Sequence, residues 1–127
     1  MTDVNNVIIL SVAYLLTKHA VADFFLQTPY QYKNKGTYGH PGGLLHCAIH
    51  LVLTAPVFLI VVPSGALLAT AILVGEFIVH YHVDWSKEAL VKRNAWTAGK
   101  AAFWRGTGVD QLAHGLTYVV IVWVLVS

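Results

Sequence analysis

The sequence predicts an all-α integral membrane protein: a four-helix bundle, with an amphipathic helix lying in the membrane interface between the third and fourth spans. Three observations lead there. Of the 127 residues, 57% are hydrophobic and only 11% charged, under half the roughly 25% charge of an ordinary soluble domain. Apolar runs at 7–26, 44–62, 66–83 and 112–126 each approach the ~20 residues that cross ~30 Å of hydrocarbon. Finally, the eight Lys and Arg residues cluster almost entirely in two of the connections between those runs.

The first span, about 5–26, opens within "MTDVNNV", which lacks the basic region and small-residue cleavage site of a signal peptide, so the helix is expected to remain in the chain. Lys18, towards its end, is expected to snorkel to the interface. The connection "TPYQYKNKGTYGHPGG" is rich in turn residues and tyrosine and is expected to fold over the membrane surface. The second span, about 44–62, stops at the "PSG" turn, and the third covers about 66–83. Next comes "SKEALVKRNAWTAGKAAFWR", residues 86–105, with Ser86 as N-cap and five basic residues among Leu90, Val91, Trp96, Phe103 and Trp104. That mixture suits an interfacial helix, which would anchor the chain or gather an anionic substrate. The last span covers about 110–126, and the whole of 1–127 reads as a single transmembrane domain. Cys47, alone, forms no internal disulfide.

Apart from Lys18, every basic residue lies in the connections 27–43 and 84–108. In a four-span chain these fall on one side, which the positive-inside rule makes cytoplasmic, with both termini outside. A net charge of +2 without any reading motif gives no reason to expect a nucleic-acid partner. The partner expected is the lipid bilayer, and faces containing Gly and Ala would also allow copies of the chain to pair into a homo-oligomer.

Each span carries ionisable residues four apart, hence on one helix face: His19 and Asp23; His46 and His50; Glu76, His80 and Asp84; Asp110 and His114. With alternating helix direction they all fall within about 10 Å of the cytoplasmic boundary at 1.5 Å per residue. Asp23, His46, Asp84 and Asp110 form a shallow layer, His19, His50, Glu76 and His114 a deeper one, with His80 between. His82 falls on another face and His40 in a loop, so neither is expected to be a ligand; Cys47 is expected to pack.

A charge inside a transmembrane helix costs on the order of 2.5–3.5 kcal/mol. Structural zinc sites return roughly 10–16 kcal/mol, far more than hydrogen bonds between neutral partners. The expected metal ligands are therefore His19, Asp23, His46, His50, His80, Asp84, Asp110 and His114. Imidazole and carboxylate together suit Zn first, then Fe, Mn, Co or Ni, as one ion or two, and paired cysteines are absent. Glu76 is either a further ligand or a general base, and Lys87, with Lys33, Lys35, Lys92 or Arg93, is expected to hold an anionic group just outside.

The stretches "HAVADFFLQ", "HCAIH", "HYHVDWSK" and "VDQLAH" resemble a family of small bacterial and phage inner-membrane proteins of unknown function, whose pattern is His-x-x-Ala-Asp-Phe-x-Leu-Gln, His-x-x-x-Asp-x-x-Lys and Asp-Gln-x-x-His. His19, Asp23, Gln27, His80, Asp84, Lys87, Asp110, Gln111 and His114 fit it; Ala20-Val21-Ala22 stands where the family often has Leu-Leu-Ala. The resemblance implies a multi-pass location in the bacterial inner membrane and supplies no activity. A looser similarity to inner-membrane metal-dependent hydrolases is analogy at the level of residue types.

The function these readings favour is a membrane-embedded metal-dependent hydrolase at the cytoplasmic leaflet, cleaving a phosphoester of an anionic lipid or isoprenoid phosphate. Against it stand a metal-binding protein without chemistry (structural site, sensor or carrier), a haem protein using His19, His50, His80 and His114 axially, and a small phage or bacterial interaction or lysis protein. The nearly all-apolar outer half argues against ion transport, and carboxylates one turn from most of the histidines argue against haem.

Overall fold

The structure, a computed structural model, describes residues 3–127. Helix α1, Val4–Val21, begins at Asp3, whose carboxylate accepts the Asn5 N–H at 3.1 Å and so serves as N-cap. It runs without a break into a π-helical turn, Ala22–Leu26. The wider turn points Phe24 and Phe25 outward and keeps Asp23 buried. A short helix α2, Pro29–Asn34, and α3, Pro41–Thr54, each open on proline, whose missing N–H costs nothing at a first helical position. Gly42 is needed between them, since a Cβ there would come within 2.6 Å of the Tyr30 carbonyl oxygen. At Pro56 the α-helical ladder loses a donor, and the chain tightens into a 3-10 turn, Ala55–Leu59. Helices α4, Ala66–Arg93, and α5, Ala101–Val126, complete the fold, with no strand among the described residues.

Four segments are long and apolar enough to cross a membrane: Val4–Leu26, Pro41–Leu59, Ala66–Arg93 and Ala101–Val126. They pack in a ring in which α1 touches α3 and α5, and α4 touches α3 and α5. Neighbours run antiparallel. Along α1 and α3, Tyr14 donates to the Leu53 carbonyl at 2.7 Å while Asp23, further on, meets His50, earlier in α3.

Residues 86–105 do not form the separate interfacial helix expected of them. Ser86 lies inside α4, which continues to Arg93, and α5 begins at Ala101, so the stretch is the shared tip of a helical hairpin. The break is local: Ala95 adopts φ +49°, with Ala95 N–H bonded to the Lys92 carbonyl at 3.3 Å and Trp96 N–H to the Val91 carbonyl at 3.0 Å. This is the Schellman closure, here with alanine where glycine is commoner. An amphipathic pattern alone does not show whether a helix lies flat or continues a span.

The bundle is apolar outside and polar within. Leu59, Leu67 and Phe25 are 81–88% exposed, whereas His46, His50, His80, His114, Glu76, Thr54 and Ser11 are almost wholly enclosed. A conventional core of Leu15, Val57, Ile72, Tyr118, Ile121 and Val122 fills the half away from the hairpin tip. Lys18 does not snorkel. Its ammonium turns into the bundle, donating to Glu76 Oε1 at 2.8 Å and the His50 carbonyl at 3.3 Å, and lies 4.6 Å from the Tyr118 ring centre. At about 12 Å from Leu26 along the helix axis it is too deep to reach the interface on that side.

Removing one partner of such a pair leaves an uncompensated buried charge, at a cost of about 3–5 kcal/mol, whereas replacing both by apolar residues is close to neutral. Lys18→Met should lose that much stability in denaturant titration of the detergent-solubilised protein, and Lys18→Met/Glu76→Leu should recover most of it. A single variant as stable as the parent would show that the pair holds nothing together.

Candidate metal centre

The structure brings all eight expected ligands together on the bundle axis, each of them buried. The i, i+4 spacing places both members of every pair on the inward face, and the π turn carries Asp23 inward where the outward Phe24 and Phe25 meet the bundle surface.

Two carboxylates organise the cluster. Asp23 Oδ1 lies 3.0 Å from His50 Nε2 and 3.2 Å from His46 Nε2, and its Oδ2 lies 3.1 Å from His19 Nε2. Asp84 Oδ1 lies 3.1 Å from His114 Nε2, and its Oδ2 lies 3.2 Å from His46 Nε2 and 3.5 Å from His80 Nε2. Asp110 Oδ1 completes the arrangement, 3.5 Å from His114 Nε2. All five imidazoles thus present Nε2 to the same small volume, with adjacent ring centres as close as 3.9 Å for His50 and His80 and 4.2 Å for His80 and His114.

Donors held about 2.0–2.1 Å from a common cation stand roughly 3.0–3.4 Å from one another. Those separations also suit hydrogen bonds, and His19, His50 and His114 make them. His46 and His80 separate the two cases. Each is 1% exposed and neither makes a well-directed hydrogen bond: Nε2 faces carboxylate oxygens at 3.2 Å for His46 and 3.5 Å for His80, and Nδ1 is buried without a partner. A buried polar atom left unsatisfied costs about 1–3 kcal/mol, and a cation is a partner that would satisfy the two inward Nε2 atoms together with the carboxylates they face. Three sets of donors are close enough to hold a metal ion: Asp23, His46, His50 and His80; His19, His80 and His114; and Asp84, Asp110 and His114. The first and last share no residue.

Surrounding groups fix this arrangement. Tyr118 OH lies 2.9 Å from His19 Nδ1, the contact that orients an imidazole whose Nε2 faces inward. The Gln111 amide donates to Asp23 Oδ2 and Asp110 Oδ2, each at 3.1 Å, bridging α1 and α5. Gln27 donates to the Asp23 carbonyl at 2.9 Å, closing the π turn. Lys35, expected on the surface, is instead buried and donates to Asp84 Oδ2 at 3.0 Å. Burial by itself would lower its pKa, but the carboxylates of Asp84 and Asp23 outweigh that and raise it above the usual lysine value.

Glu76 belongs to none of the three sets. Its Oε1 accepts from Lys18 and from the Thr54 hydroxyl, both at 2.8 Å, and its Oε2 is buried without a partner. Lys87 donates to Glu88 Oε1 at 2.6 Å and lies near the hairpin tip rather than among the ligands. His40 caps α3 by accepting the Gly42 N–H at 3.0 Å, and His82 bonds the Ile78 carbonyl and Tyr38 OH at 2.7 and 3.1 Å, so both stand outside the cluster. Cys47 is a buried free thiol.

Sequence reasoning missed Lys18, Lys35 and Tyr118 as parts of this region. The depth of Lys18 within its span was the available signal, and Tyr118 follows Asp110 and His114 at the same spacing of four. Lys35 gave none, because only the folding of the first connection brings it to Asp84. Tyr118→Phe removes the partner of His19 Nδ1 and nothing else. Its affinity for an added divalent metal, titrated calorimetrically against the parent, should fall roughly 10–100-fold, as for comparable outer partners of metal-bound histidine. Unchanged affinity would place His19 outside the coordination.

No curated protein and no solved structure matches the chain. Residues 11–127 match the family described as protein of unknown function (DUF3307), and with nearly its full length covered the chain belongs to that family.

Proposed function

We propose that the protein is a membrane-embedded hydrolase dependent on a divalent metal, Zn before Fe, Mn, Co or Ni, that cleaves a phosphoester of a lipid or lipid-linked substrate at the cytoplasmic leaflet. The observation that carries this reading is the pair of buried imidazoles, His46 and His80, whose Nε2 atoms face carboxylate oxygens at ion-pair distance without a well-directed hydrogen bond. Charge supports it as well. With neutral imidazoles, Asp23, Asp84 and Asp110 set against Lys35 leave two negative charges, the number a divalent cation neutralises.

A divalent metal there would supply Lewis acidity and lower the pKa of a coordinated water towards ~7. The four-donor set of Asp23, His46, His50 and His80 is of the closed, structural kind. The three-donor set of Asp84, Asp110 and His114 leaves a position for water or substrate, as catalytic sites do. Asp84 spans the two regions through its two oxygens, and Lys35 holds it from behind. Glu76, tied to Lys18 and Thr54, acts as a buried structural counter-ion in this reading; its free Oε2 is its one remaining acceptor. The basic residues around the hairpin tip favour the cytoplasmic side and an anionic substrate.

A second reading, a stabilising metal centre without turnover, draws support from the near-complete enclosure of the histidines. One preparation separates the two. Metal analysis of detergent-purified protein should find stoichiometric divalent metal, lost in His46→Ala and Asp84→Ala. The metal-loaded parent should then release phosphate or headgroup from a panel of labelled phospholipids and isoprenoid phosphates, and Asp110→Asn should slow it. Bound metal with no turnover across the panel selects the stabilising centre, and parent protein free of metal ends both readings.

A further inference from the structure

A groove of about 620 Å³ lies between the ends of α4 and α5, a volume within the ~300–1,000 Å³ of small-molecule sites. Leu90, Trp96, Ala102 and Val109 give it apolar walls. Trp96 packs so near Gly106 that a Cβ there would stand 3.3 Å from the indole. Polar character is confined to a few groups: Ser86, Lys87 and Arg105 towards the tip, His82 on the α4 wall, and Asp110 at the inner end. Asp110 is also a member of the three-donor set, so the groove ends at the metal-binding cluster.

We propose that this groove binds the phosphate-bearing end of an anionic membrane lipid and presents it to Asp84, Asp110 and His114. The inference rests on the hydrolase reading for its purpose, though the binding itself does not need chemistry. Arg105 is exposed and enters none of the ion pairs of the described residues, leaving its guanidinium free for a phosphate. Lys87 gives one N–H to Glu88 and keeps the others, 5.6 Å from the Phe103 ring centre. Asp110 would repel an anion by itself, and a cation held between them turns that repulsion into attraction.

A lipid, rather than a soluble phosphate ester, fits because the groove continues onto an apolar track. Val109, Leu112, Leu116 and Val120 are exposed along α5 at spacings of three and four. They form a stripe running from the groove down the length of the span. A chain can lie along that stripe in the hydrocarbon while the headgroup enters sideways between α4 and α5, without leaving the bilayer.

The test uses the full chain in lipid nanodiscs, with Trp85, Trp104 and Trp123 replaced by Phe so that Trp96 alone reports from the groove. Trp96 emission is titrated with brominated phosphatidylglycerol and, separately, with brominated phosphatidylcholine, and metal content is measured on the same samples. The anionic lipid should quench at lower mole fraction. Arg105→Gln should weaken that apparent affinity about fivefold, the effect of one basic residue near an anionic headgroup. Arg105→Lys, which keeps the charge, should retain the preference and so separate lost charge from damaged folding. Equal quenching by the two lipids in the parent overturns the proposal. Bound metal without an anionic preference also removes the groove and leaves the metal centre standing; an anionic preference without bound metal keeps the groove and removes the hydrolase.

Discussion

The structure depends on the confinement of charge to the bundle interior. In hydrocarbon, a carboxylate or ammonium has no water to turn to, so each one buried here must find its partner within the protein. Asp23 and Asp84 find theirs in histidines of the neighbouring helices, and Glu76 finds Lys18. Beside the pairs within one helix, these contacts join different helices, so the polar interior also fixes helix order and register. Apolar packing alone would do this poorly, because lipid tails are as good a solvent for Leu67 as another helix is.

This constraint divides the molecule along its length. Away from the hairpin tip, Leu15, Val57, Ile72 and Ile121 pack as an ordinary core, able to tolerate changes of shape. In the other half, side chains of fixed geometry meet within hydrogen-bonding distance, and a small displacement of one helix would break several contacts. Lys18 marks the boundary between the halves: it is buried, and its ammonium, beside Tyr118 and Glu76, begins the polar region. The clustering of groups that could hold a metal ion is in this sense a by-product of how the bundle is held in register.

Much of this was legible in the sequence because the two periodicities involved are strong. Twenty-residue apolar runs mark the spans, and the spacing of four that pairs His19 with Asp23 or Asp110 with His114 defines an inward stripe whichever helices are neighbours. What stayed hidden was whatever depends on where a helix stops or what arrives from another segment. The stretch 86–105 has the composition of a surface helix, yet a single left-handed residue, Ala95, makes it the tip of a hairpin. Lys35 belongs to a loop by sequence and to the buried cluster by contact, because the short helix α2 and the close approach at Gly42 fold it inward. Glu76 shares the stripe of His80 and Asp84, but the lysine facing it from α1 gives it a different partner.

The π turn at Ala22–Leu26 has a consequence for how this first helix can vary. A π turn is an α turn with one residue too many, held because both flanks are already anchored. Here the anchors are Lys18 and His19 on one side and Asp23 with Gln27 on the other. Losing a residue from the turn would rewind it to α geometry and swing one flank about 100° around the axis relative to the other. Insertions or deletions that a loop would absorb are therefore closed to this segment, and the length of chain between the first histidine and the first glutamine is set by the cluster they serve.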